Sequence, residues 1–303
     1  MTVAASTIES PARPLGLICG LMAALIWGAW PVISKLGVGG HLDVYDVTAL
    51  RFGVAGLVLL PILLRRPPRG AEWGRGLALA TGAGAPYILV AIGGLQLAPA
   101  GHFGVVAPGT NIVVAILGAW LLLGDRPARQ RIAGAAMVLA GILLVGWSSL
   151  TAPHEAGAGP QWLGDLMFMA GGVLWAGYTL AARRWAVEPF RAVALVSVLS
   201  AAFYLPPYVA LAGLRLLEAP LSEVLVQALF QGVLVAVVAL VLHTKAVELL
   251  GAARAALFPA LVPAAAMLLA VPVLGEIPTT LALLGVVVVV AGMLTSMGLR
   301  LGR

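Results

Sequence analysis

Charge is scarce in this 303-residue sequence: 10% of the residues are Asp, Glu, Lys or Arg, against 61% hydrophobic. Soluble domains carry about 25% charged and about 45–50% apolar residues. With a mean hydropathy of +1.05, the chain has more apolar surface than a water-soluble core encloses, so an ordinary soluble protein is excluded and a polytopic membrane protein expected. Cysteine is reduced to Cys19, which rules out an intramolecular disulfide. The histidines, His41, His102, His154 and His243, are scattered. No His/Cys/Asp cluster has metal-ligand spacing and no Ser–His pairing stands out, so no metal, cofactor or catalytic residue is expected. Carboxylates are equally thin. All 12 lie in tails, in loops or within a turn or two of the end of an apolar run. A proton-coupled carrier of hydrophobic cations needs a buried carboxylate at mid-membrane, and that class is disfavoured. The net charge of +6 comes from residues flanking apolar runs, which suits an anionic cytoplasmic leaflet rather than nucleic acid.

What is abundant is long apolar runs. About 20 residues are needed to cross about 30 Å of hydrocarbon, and such runs fall at 15–36, 47–64, 76–97, 99–123, 131–148, 163–184, 190–214, 222–248, 252–273 and 279–299. They are continuous rather than alternating, so they read as helices and not as strands of a barrel. The expected fold is all-α, with ten transmembrane helices. Arg13, Arg65, Arg66, Arg69, Arg75, Arg126, Arg129, Arg131, Arg183, Arg184, Arg191, Arg300 and Arg303, with Lys245 and Arg254 at a short turn, fall on one side. Only Lys35, Arg51 and Arg215 fall toward the other. This bias puts both termini inside, in a multi-pass protein of the cell inner (plasma) membrane. The polar start, residues 1–14, reads as a cytoplasmic tail before a retained first helix.

The chain is also internally duplicated. Pro108, Gly124, Pro127, Gly134 and Gly141 recur 151 positions later as Pro259, Gly275, Pro278, Gly285 and Gly292, with Glu276 answering Asp125. In spans one and six, Trp27 answers Trp175 and Lys35 answers Arg183, both at 148. Residues 15–148 and 163–299 form the two expected five-helix repeats, joined by an outer linker at 149–162, with a cytoplasmic tail at 300–303. Five spans is an odd number, so the second repeat enters the membrane from the opposite face: an inverted-topology pair. The inner turn Gly124-Asp125-Arg126-Pro127 becomes the outer turn Gly275-Glu276-Ile277-Pro278, and its cation is gone.

The W-G-x-W of span one (Trp27, Gly28, Trp30), the W-A-G-Y of span six (Trp175 to Tyr178), the segment A-V-E-L-L-G-A-A-R-A-A-L-F-P (246–259) and the paired turns resemble the drug/metabolite transporter superfamily in its ten-helix, EamA-type form. The span-six motif is similar to that of the YddG-type exporters of aromatic amino acids. The resemblance implies a central cavity walled by spans one, three, four, six, eight and nine, with five and ten at the periphery.

Trp27, Trp30, Trp175 and Tyr178 lie at i, i+3 on two matched spans, so each pair shares a helix face. Tyr87 follows Pro86, and Asn111 follows Pro108 and Thr110. These aromatics either wall a pocket for a neutral or zwitterionic metabolite or fill gaps between helices. The candidate cavity residues are Trp27, Trp30, Tyr87, His102, Pro108, Asn111, Trp175, Tyr178 and His243. Pro108 and Pro259 are the candidate hinges, since each frees the carbonyl four residues back. The Gly runs of spans five and ten suit close helix packing or a seam with a second copy; a monomer is the expectation. The function expected is export of amino acids or similar small metabolites by alternating access. A carrier of a nucleotide sugar is the nearest alternative, although no midplane cation is evident for it. An intramembrane enzyme or a channel is the alternative from another class.

Overall fold

A computed structural model describes residues 12–151, 159–213 and 215–297; most of the expected N-terminal tail, the C-terminal tail and half of the linker expected at 149–162 lie outside them. Among these residues the regular structure is helical. The first half holds α1 (Ala12–Val38), α2 (Val44–Arg65), α3 (Ala71–Ala83), α4 (Ala85–Leu95), α5 (Ala100–Leu123) and α6 (Arg129–Thr151). The second holds α7 (Gln161–Arg184), α8 (Pro189–Ala212), α9 (Leu221–Leu229), α10 (Ala239–Leu250), α11 (Ala252–Ala255), α12 (Val262–Leu274) and α13 (Thr280–Ser296). Nine stretches among the described residues are long and apolar enough to cross a membrane, and α13 is a shorter apolar helix. With it they make the ten spans, whose ends differ from the sequence expectation by at most five residues.

The turns explain the repeated punctuation. Gly124 ends α5 at φ 72° and Gly275 ends α12 at φ 70°, a left-handed conformation that glycine adopts without strain. Asp43 and Asp46, whose spacing marks a helix start, form a capping box on α2. Asp43 Oδ1 accepts from the backbone N–H of Asp46, and Asp46 Oδ2 accepts from that of Asp43.

The glycines of α6 and α13 face each other within the chain. A Cβ at Gly134 would come within 2.6 Å of the Gly292 carbonyl, and one at Gly141 within 2.7 Å of the Gly285 carbonyl. The inverted repeat thus closes an antiparallel glycine seam inside one molecule. These faces are used up there, so the idea that they join two copies is corrected.

Three spans are not the plain helices expected. The third breaks at Gly84, between α3 and α4. The eighth, its counterpart in the second half, changes to π-helix over Phe230–Val238 between α9 and α10. Both copies therefore depart from α-geometry at mid-depth, and π segments inside α-helices are frequent at functional sites. The ninth opens with the short α11 and a 3₁₀ turn, Pro259–Leu261, before α12. Pro108, by contrast, lies within an uninterrupted α5. The two candidate hinges are matched in sequence but not in local backbone.

The repeat also exchanges its ion pairs. Lys35 at the outer end of α1 reaches Glu276 of the α12–α13 turn at 2.6 Å. Arg183 at the inner end of α7 reaches Asp125 of the α5–α6 turn at 2.9 Å. Lys35 answers Arg183 and Glu276 answers Asp125 in the duplication, so one device is built twice, on opposite faces.

A candidate substrate pocket at the centre of the bundle

Four helices bring an aromatic cluster together where the halves meet. Trp30 of α1 lies 6.5 Å from Tyr87 of α4 and 4.9 Å from Phe103 of α5, ring centre to ring centre. Tyr87 lies 5.0 Å from Trp175 of α7, which lies 5.3 Å from Tyr178 one turn on. Phe103 meets Phe168 edge to face at 5.3 Å. Four of the expected cavity residues, Trp30, Tyr87, Trp175 and Tyr178, are therefore contiguous. Trp27, one turn inward on α1, packs instead on His243 of α10 at 5.3 Å.

Among the described residues three polar atoms are buried without a hydrogen-bond partner: Thr110 Oγ1, Asn111 Oδ1 and His243 Nδ1. Orphaned polar atoms are costly in a dry interior, and these belong to spans four and eight. Pro108 stands just before the first two.

His102 is elsewhere. Its Nδ1 lies 3.1 Å from Asp165 Oδ1 and 3.2 Å from Ser149 Oγ, and Ser149 Oγ donates to Asp165 Oδ2 at 2.5 Å. All three residues are buried. Ser and Asp meet the same imidazole nitrogen, whereas nucleophile activation needs the serine on one ring nitrogen and the orienting carboxylate on the other. The cluster ties the outer ends of α5, α6 and α7 together.

The sequence reading overlooked two buried amides and a cation. Gln227 of α9 and Gln231 of the π segment are one turn apart and buried. Gln227 Nε2 donates to the Ile33 carbonyl at 2.7 Å. Gln231 Oε1 accepts from Trp30 Nε1 at 2.6 Å and from Arg51 Nη1 at 3.1 Å, while its Nε2 donates to Ser34 Oγ at 2.8 Å and Gln227 Oε1 at 3.2 Å. Trp and Arg only donate, so the amide has one workable orientation and its capacity is filled. Arg51 was counted with the outer-side cations. Its guanidinium in fact lies 5.9 Å from both the Trp30 and Phe52 rings, about 10 Å along α2 from its outer end at 1.5 Å per residue. Arg51 thus stands in the outer half of its span, with its guanidinium among the rings of the bundle. Two signals were available: amides four apart in an apolar run, and an Arg two turns into a span.

The chain matches the EamA-like transporter family twice, over residues 14–147 and 162–298. No curated protein matches it. One crystal structure of a protein aligns with 94% of this chain and 97% of its own at 24% identity and a TM-score of 0.58, a likeness of fold alone.

Proposed function

Because the chain belongs to the EamA-like transporter family, it is a multi-pass membrane transporter of a small molecule, and we propose that it exports amino acids, aromatic or otherwise neutral, or similar small metabolites across the cell inner membrane. The observation that carries this reading is the contiguous cluster of Trp30, Tyr87, Trp175 and Tyr178 at the junction of the two halves. Aromatic faces hold an apolar side chain, and the unpartnered Thr110, Asn111 and His243 atoms offer hydrogen bonds to a polar end. Movement by alternating access follows from the inverted repeat, since two faces built from one plan can exchange roles around a fixed site.

The test is counterflow of a radiolabelled amino-acid panel in proteoliposomes holding the purified chain. At least one aromatic or neutral amino acid should exchange. Trp175→Ala and Tyr178→Ala should each slow it about tenfold, equivalent to about 1.4 kcal/mol, with membrane yield unchanged. Absence of exchange for every amino acid would refute the substrate assignment, and full activity in both variants would remove the two residues from the pocket.

A further inference from the structure

Arg51 is a cation inside the bundle with most of its bonding capacity free. A guanidinium carries five N–H groups and no acceptor; one of them meets Gln231 Oε1 at 3.1 Å. Among the described residues no carboxylate pairs with it. Every other ion pair there, such as Lys35–Glu276 or Arg215–Asp43, lies at an end of the bundle. Charges inside a membrane are expensive and normally paired. Gln231 does not neutralise Arg51, since an amide supplies only a dipole, and its remaining bonds to Trp30, Ser34 and Gln227 hold it rigidly. The arrangement holds the guanidinium through one hydrogen bond and two ring faces and gives it no counter-charge among the described residues.

The neighbours define what would supply one. Arg51 lies over the Trp30 ring at 5.9 Å, and Trp30 stacks towards Tyr87, which in turn meets Trp175 and, through it, Tyr178. The geometry points to Arg51, braced by Gln231, as the carboxylate-binding end of the central pocket, so that the substrate class is a monocarboxylate whose apolar body lies on Trp30, Tyr87 and Trp175. The planar fork of Arg matches a carboxylate with two parallel hydrogen bonds. One cation suits one negative charge, whereas the diphosphate of a nucleotide sugar would leave charge unmatched. This inference rests on the reading of the aromatic cluster as the substrate pocket.

Binding of three probes to the full chain in nanodiscs, followed by tryptophan fluorescence, tests it. The probes are L-phenylalanine, 3-phenylpropionate (the acid without its ammonium) and L-phenylalaninamide (the ammonium without its acid). Both acids should bind and the amide should not. Arg51→Gln should weaken the acids by about tenfold or more, the scale of a lost hydrogen bond to a charged group, and Arg51→Lys, with the charge but not the fork, by less. Amide binding as tight as acid binding overturns the proposal, as does no binding of either acid. So does undiminished acid binding in Arg51→Gln. Where Arg51→Gln fails to fold, the acid–amide comparison on the unaltered chain decides alone. Arg51-dependent binding of 3-phenylpropionate without counterflow of any amino acid would keep the carboxylate site and discard the amino-acid assignment; counterflow unaffected by Arg51→Gln would do the reverse.

Discussion

The two ion pairs exchanged by the inverted repeat are one device in two settings. At the outer end Lys35 and Glu276 are 27% and 19% exposed. Lys35 Nζ also donates to the Ala98 carbonyl at 2.8 Å, and Glu276 Oε2 accepts from the Ala100 backbone N–H at 2.7 Å. The pair thus clamps the turn into α5. At the inner end Arg183 and Asp125 are 59% and 36% exposed, with only Arg131 nearby, at 4.0 Å. The packing around them follows the same contrast. Residues 100–107 of α5, near the outer pair, are all buried, whereas no residue from 177 to 184 of α7, near the inner pair, is. Further ties crowd the outer side. Arg215 donates to Asp43 and Asp46, and Tyr208 to Asp46. The hydrogen bonds to Asp46 and Asp43 hold the Arg215 guanidinium well above its ordinary pKa. The outer member of the exchanged pair is therefore the more enclosed of the two, although the inner side has a partly buried tie of its own between Arg191 and Glu72, 19% and 30% exposed. A carrier that alternates would need that asymmetry to be reversible.

Glu276→Ala should break the comparison most strongly. It strands Lys35 at a mostly buried position and frees the Ala100 N–H at the start of α5. A partly buried pair that loses one partner leaves the other charge uncompensated, and the expected loss is about 2 kcal/mol. Thermal unfolding in detergent reads it directly. Glu276→Gln, which keeps an acceptor for the Ala100 N–H, should recover part of the loss. A melting temperature equal to that of the unaltered chain would show that the outer pair holds nothing.

Asp165→Asn comes next. It keeps the size of the side chain and removes the charge that His102 and Ser149 both address. About 1 kcal/mol is expected, the scale of one weakened buried hydrogen bond, in the same unfolding assay. Because this cluster joins α5, α6 and α7 apart from the aromatic cluster, affinity for whichever probe the proposed site binds should stay within about twofold, well under the tenfold that 1.4 kcal/mol brings. A large change in affinity with stability intact would move His102 back into the pocket, where the sequence had suggested it.

The separation of His102 from the aromatic cluster shows what the sequence could carry. Spans, turns and the glycine seam were readable because each depends on local chemistry: apolar length, a left-handed glycine at 124 and 275, small residues seven apart on α6 and α13. The meeting of Trp30, Tyr87, Trp175 and Tyr178 was partly readable, since i, i+3 spacing fixes a helix face. His102, Ser149 and Asp165 come from three different span ends, and no local pattern says that they touch. Arg51 lies in the outer half of its span, as its place in the apolar run says, but no local pattern tells that its side chain packs on Trp30 and Gln231. The π segment that presents Gln231 is a backbone choice made by packing, with no residue such as Pro or Gly to announce it at its first position.

The smallest effect belongs to the inner pair. Asp125→Ala removes a carboxylate from Arg183 at a position where both side chains keep substantial contact with solvent. Exposed pairs contribute about 0.2–1 kcal/mol, so the melting temperature should fall much less than in Glu276→Ala. Salt separates the two further: raising ionic strength should erase what little Asp125 contributes, because screening acts on exposed charges, and leave the Glu276 effect largely in place. Equal losses in the two variants, or equal sensitivity to salt, would mean that the outer and inner ends are fastened alike and that the contrast in burial carries no energetic weight.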